Sequence, residues 1–118
     1  MVGLTNNALN PMADALGALL DFMSLHTADP GTTGANETTA GRQACAFDAA
    51  VNGDISLTGT ENFTGGAASG ACTHVGFFSD ATPGSDTFFG GFALTGDQTF
   101  NAAGEYTVTD VTITGDNA

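Results

Sequence analysis

The stretch Tyr106-Thr107-Val108-Thr109-Asp110-Val111-Thr112-Ile113-Thr114 decides the fold class. Tyr106 and Val108 alternate with Thr107 and Thr109, which is the two-residue period of a half-buried strand. At Asp110 the phase slips by one residue, and Val111 and Ile113 then alternate with Thr112 and Thr114. An extra residue in such a pattern predicts a β-bulge near Asp110. Threonine on the outward face favours the strand without adding charge.

Working backwards from this segment, short runs of the same kind recur between Gly, Asp and Asn. They cover residues 42–47, 55–58, 60–64, 72–78, 87–94 and 98–101. Such spacing predicts a mainly β domain over residues 42–115, a β-sandwich or small barrel of about seven to eight short antiparallel strands. Ahead of it lies one α-helix over about residues 10–22. Asn10-Pro11 is its start signal, because Asn caps and Pro fits the first helical position. Met12, Leu16, Leu19, Leu20 and Met23 follow at three- and four-residue steps. Asp14 falls in the first turn, where the helix dipole favours a negative charge. Thr5 offers an alternative cap for an earlier start that reaches Leu9. From Phe22 to Thr27 the pattern turns extended. Ala28-Asp29-Pro30-Gly31 then breaks it, and residues 28–41 read as an exposed loop. The whole, 1–118, reads as a single domain.

Charge excludes several functions. Thirteen acidic residues face one basic residue, Arg42, for a formal net charge of −12 over 118 residues. Binding to nucleic acid or to an anionic membrane needs a cluster of Lys and Arg, which this chain lacks. Arg42 can serve only one or two carboxylates, so an internal ion-pair network is excluded as well. The N-terminus lacks the positive charge of a signal peptide, and Asp21 interrupts the apolar run 15–25, which is too short to span a bilayer. Seventeen Gly with abundant Ala and Thr leave few large apolar residues. The expected core is therefore thin and completed by contacts with other chains. Nine Phe set in strand patterns favour folding.

No active site emerges. Ser24, His26 and Asp29 supply the residue types of a hydrolase triad, but no Gly-x-Ser-x-Gly elbow accompanies them. Cys72 and His74 share a strand face without an orienting third group. The acidic residues are scattered singly, without a Ca²⁺-loop spacing, and Cys and His lack zinc spacing. Gly65-Gly66 and Gly90-Gly91 have no phosphate-loop context. No metal, cofactor or catalytic residue is expected, and the chain is expected not to be an enzyme. Cys45 and Cys72 allow one bridge or two thiols, with two thiols favoured in a reducing cytosol.

The run Ser24-Leu25-His26-Thr27-Ala28-Asp29-Pro30-Gly31-Thr32-Thr33-Gly34-Ala35-Asn36-Glu37 resembles the hallmark segment of a family of small tailed-phage virion proteins. Members are described as minor capsid, head-decoration, minor tail or tail-fibre proteins. The resemblance continues through Gly41-Arg42-Gln43-Ala44, Thr73-His74-Val75-Gly76-Phe77-Phe78-Ser79, Phe89-Gly90-Gly91-Phe92-Ala93-Leu94 and Gln98-Thr99-Phe100-Asn101-Ala102-Ala103-Gly104. The chain departs from the family in having Ala40-Gly41 where an aromatic usually precedes the Arg-Gln-Ala stretch. The resemblance implies a structural virion protein, made in the host cytoplasm and located on the capsid surface. In that role it would decorate or reinforce the outside of the head lattice, with the major capsid protein and copies of itself, as trimers, for partners. The alternatives are a tail or tail-fibre component and a host-glycan-binding module, the latter weakened by having Tyr106 as its one Tyr and no Trp. Like-charged copies repel unless the contact is apolar or contains Arg42. Interface residues are therefore expected on the helix stripe, at Met12, Leu16, Leu19 and Met23, and around the loop, at Asp29, Pro30, Gly31 and Arg42.

Overall fold

The computed structural model describes residues 4–84 and 86–115. It is mainly β, with eight short strands in antiparallel sheets and one N-terminal helix. These are α1 (Asn6–Leu19), β1 (Phe22–His26), β2 (Gln43–Ala44), β3 (Asp54–Ser56), β4 (Glu61–Phe63), β5 (His74–Phe78), β6 (Phe88–Ala93), β7 (Tyr106–Val108) and β8 (Thr112–Thr114).

The helix begins four residues earlier than Asn10-Pro11 suggests and ends at Leu19 rather than near residue 22. Thr5 holds the N-cap position, and its carbonyl accepts from the Ala8 and Leu9 N–H groups. Asn10 does not cap. Its Oδ1 accepts from Gly53 N at 2.7 Å, and Asn6 Nδ2 donates to Asn52 Oδ1 at 3.0 Å. These bonds moor the first turns to the 51–54 turn and offset the hydrogen bond that Pro11 forgoes inside the helix. Leu20 and Asp21 then turn the chain so that Phe22 can pair with Phe78. Met23 is consequently a core strand residue, 0% exposed, and not part of the helix stripe.

The main sheet has the order β2-β1-β5-β6. Its register sets two faces, because directly paired residues share a side. Met23 pairs with Phe77, Leu25 with Val75, and Val75 with Phe92 on one face. Ser24 pairs with Gly76, His26 with His74, and Gly76 with Gly91 on the other. The first face meets Leu20, Leu57, Phe63, Phe100, Val108 and Val111 in the hydrophobic core. Residues 28–41 fold over the second.

Strands β3 and β4 run antiparallel to β8 and β7 along a single interrupted ribbon. Asp54 pairs with Thr114 and Ser56 with Thr112, Leu57 N donates to Val111 O, and pairing resumes with Glu61 opposite Val108. Three residues, Thr58 to Thr60, therefore stand opposite two, Thr109 and Asp110. The phase slip expected at Asp110 is present, but the extra residue belongs to the partner strand, where Gly59 has φ of +72°. The shift turns both Val108 and Val111 inward. Residues 98–101 form no full strand; Thr99 makes an isolated bridge with Ala71.

Candidate functional site: a latched loop and an apolar face

The Leu25–Glu37 segment folds back on the strand from which it leaves. Thr27 N donates to Asn36 O at 2.8 Å, Thr38 N to Leu25 O at 2.8 Å, and His26 bridges Glu37. The turn between them is closed by Asp29, whose Oδ1 accepts from Gly31 N at 2.8 Å, and by Pro30 O, which accepts from Gly34 and Ala35. Pro30 itself is buried. The expected loop is mostly exposed and is at the same time an ordered cover, with Pro30 and Ala40 buried on its inner side.

Its centre is a polar pair inside the sheet. Ser24 Oγ lies 2.7 Å from His26 Nε2, and His26 Nδ1 lies 2.7 Å from Ala35 O. A carbonyl oxygen only accepts, so Nδ1 carries the proton and Nε2 accepts from the serine hydroxyl. Burial lowers the His26 pKa, against the opposing pull of Ala35 O and Glu37. The ring stacks on Phe78, 6.2 Å between centres and 17° between planes. A side chain at Gly76 would meet both partners: its Cβ would stand 2.5 Å from His26 Nε2 and 2.9 Å from Ser24 Oγ. The geometry has two elements of the triad expected from residue type, but Asp29 is turned to Gly31 and a backbone carbonyl orients the histidine. Both Ser24 and His26 are 0% exposed, so the pair has no face for a substrate and acts as a latch.

Arg42 locks the other edge of the cover. Its Nε and Nη2 donate to the two oxygens of Glu37, each at 2.8 Å, and its Nη1 to Asp86 Oδ2 at 2.7 Å and Asp80 O at 2.8 Å. The guanidinium carbon sits 3.6 Å above the centre of the Phe78 ring. The Glu37 carboxylate is the main reason that the Arg42 pKa is raised, and Arg42 in turn lowers that of Asp86. With its side chain 4% exposed, Arg42 is enclosed within the chain.

The eight expected interface residues therefore divide. Met23, Pro30 and Arg42 are internal. Asp29 and Gly31 are exposed at the turn of the cover, on one face of the main sheet. Met12 is 61% and Leu19 50% exposed on α1, with Leu16 half-buried beside them. Leu16 lines two apolar grooves, of about 360 and 220 Å³, that also share Ile113. The second of these includes Phe77, Phe89 and Phe92 of the opposite face of the sheet. Helix stripe and loop do not form one patch.

The family model of the podophage GP4 fiber I protein gp80 matches residues 20–116. The chain belongs to this family. The gp80 fiber family match begins one residue past α1 and takes in all eight strands, the Ser24–His26 latch and the Arg42 cluster. No curated protein and no solved structure matched the chain. Membership makes it a structural protein of a tailed-phage virion, in agreement with the expected resemblance to tailed-phage virion proteins. The family's description names a fiber, which agrees with the tail-fibre alternative better than with capsid decoration.

Several participants in this site are silent in the sequence pattern. Glu37 and Asp86 become visible only through charge arithmetic, since a single cation among thirteen acids is bound to find some of them. Phe89 and Phe92, each 37% exposed, sit on an edge strand and read as ordinary core residues. A polar concavity of about 540 Å³ is lined by Asn62, Asp97, Asn101, Glu105 and Tyr106. The Tyr106 hydroxyl donates to Asp97 O at 2.5 Å. Cys45 and Cys72 are free thiols. Burial pushes Cys45 to about 12 and Cys72 to about 11. Among the described residues no group of three or more His, Cys, Asp or Glu side chains converges, and no helix is long and apolar enough to cross a membrane.

Proposed function

We propose that this chain is a component of a phage tail fibre and serves there as a structural, non-catalytic building block. The observation that carries the reading is the fiber family match over residues 20–116. The latch agrees with it. A serine–histidine pair enclosed in a sheet and an arginine enclosed by two carboxylates fix the shape of a surface loop, which suits presentation of a rigid surface. The acidic exterior keeps the chain off packaged DNA during assembly.

The experiment is to produce virions from phage lacking this chain and image them. The fibre reading expects loss of a tail projection with heads of unchanged resistance to heat and chelation. Intact tails on fragile heads would instead return the chain to the capsid surface.

A glycan-binding reading has one observation in its favour, the polar cleft beside Tyr106. The phenol is tethered to Asp97 O, and its ring meets Phe100 edge-on at 6.4 Å, so it is held in place as a wall of that cleft. Screening the purified chain on a glycan array, with Tyr106→Ala as the control, decides it.

A further inference from the structure

We propose that the exposed flank of α1 is a self-association seam, on which the same helix of a second copy of this chain packs. The helix buries Leu9 and Ala13 against the ribbon. Its neighbouring flank presents Ala8, Met12, Ala15 and Leu19, at steps of four, three and four residues, which is the spacing of a two-helix seam. Met12 and Leu19 are 61% and 50% exposed, and Ala15 is exposed between them. Alternation of alanine with a long side chain gives each knob of one helix a recess on the other. The band continues over Leu16 and Ile113 to Phe89 and Phe92, so the apolar exposure is contiguous and not scattered.

The distribution of charge selects a second copy as the occupant. Of thirteen acidic residues only Asp14 falls within residues 1–20, and its carboxylate is turned aside to accept from Ala50 N at 2.7 Å. The residues that border the seam, Leu9, Pro11, Leu16 and Ala18, are uncharged. Two chains of formal charge −12 repel over most approaches, and this flank is where they meet with least repulsion. A basic partner would be drawn to the acidic loops of the β domain and would find no carboxylate along this seam.

The proposal stands apart from the location of the chain in the virion and is tested on the purified full chain by sedimentation equilibrium. The expected result is reversible, concentration-dependent association that strengthens several-fold as salt rises to roughly 0.5 M, because salt screens the like charges and leaves the apolar contact. M12E/L19E is expected to abolish association with an unchanged circular dichroism spectrum, since both positions are exposed. Ala15→Glu, a single exposed change at mid-seam, gives the same loss should the double variant fold poorly, and Thr107→Glu on the ribbon leaves association intact. A wild-type monomer at all concentrations and salts overturns the proposal. So does association that weakens with salt, or that survives both seam variants.

Discussion

Ser24 Oγ and His26 Nε2 lie 2.7 Å apart with both residues fully enclosed, and the opposite ring nitrogen holds Ala35 O of the covering loop. The pair joins strand to loop through a neutral imidazole. Protonation would leave Nε2–H facing a hydroxyl already oriented to donate, in a site that cannot hydrate the charge.

Acid should therefore loosen the cover. Burial lowers the His26 pKa in the folded state below the ordinary value of 6.5. The folded chain then binds fewer protons than the unfolded one, so the contribution is full above 6.5 and is lost progressively as pH falls below it. Denaturant midpoints of wild type and His26→Asn, compared from pH 8 to 5, should converge as the pH drops. Ser24→Ala should cost about 1 kcal/mol at neutral pH. A constant difference between wild type and His26→Asn across the range contradicts the latch.

Arg42→Ala should destabilise the fold by roughly 3 kcal/mol, because it leaves two partly enclosed carboxylates unpaired and uncovers Phe78. Arg42→Lys should recover only part of this, since an ammonium cannot hold both Glu37 oxygens while lying flat on the ring. Equal stability of Lys and Arg at this position, measured by urea denaturation, would show that the fork geometry is immaterial.

Two glycines make a matched pair. Gly76→Ala drives a methyl group into the latch and should cost about 1–3 kcal/mol, with faster hydrogen exchange at Thr27 and Thr38. At Gly41 a Cβ meets nothing within 4 Å, so Gly41→Ala should be neutral or stabilising by up to about 1 kcal/mol. The reverse order of effects refutes the packing assigned to Gly76.

The thiols should be silent in the folded protein. With Cys45 pushed to about 12 and Cys72 to about 11 by burial, neither is ionised at pH 8. A chromogenic disulfide reagent should label both only after denaturant is added. Rapid labelling of the native chain, or failure to label two thiols after unfolding, would overturn this.

The strands were largely legible because alternation survives in short segments: Val75 and Phe77, or Tyr106 and Val108, mark their faces without tertiary information. Met23 misled because two periods compete there. It stands four residues from Leu19 and two from Leu25, and pairing with Phe77 decides for the strand. The helix start misled because Asn10, a good cap by type, makes a bond to Gly53 that no local pattern encodes. Arg42 was legible as a residue bound to meet carboxylates, but Asp86 lies forty-four positions away, so its identity as partner depends on the folded β5–β6 hairpin. Pro30 read correctly as a turn former, while its burial depends on the fold of the cover over the sheet.

The most direct test of the fibre assignment is quantitative mass spectrometry of this chain in separated heads and tails of purified virions. The chain is expected to partition with the tails, in a small fixed number of copies per particle. Hundreds of copies retained on the heads would contradict it and make the chain a capsid-decorating protein.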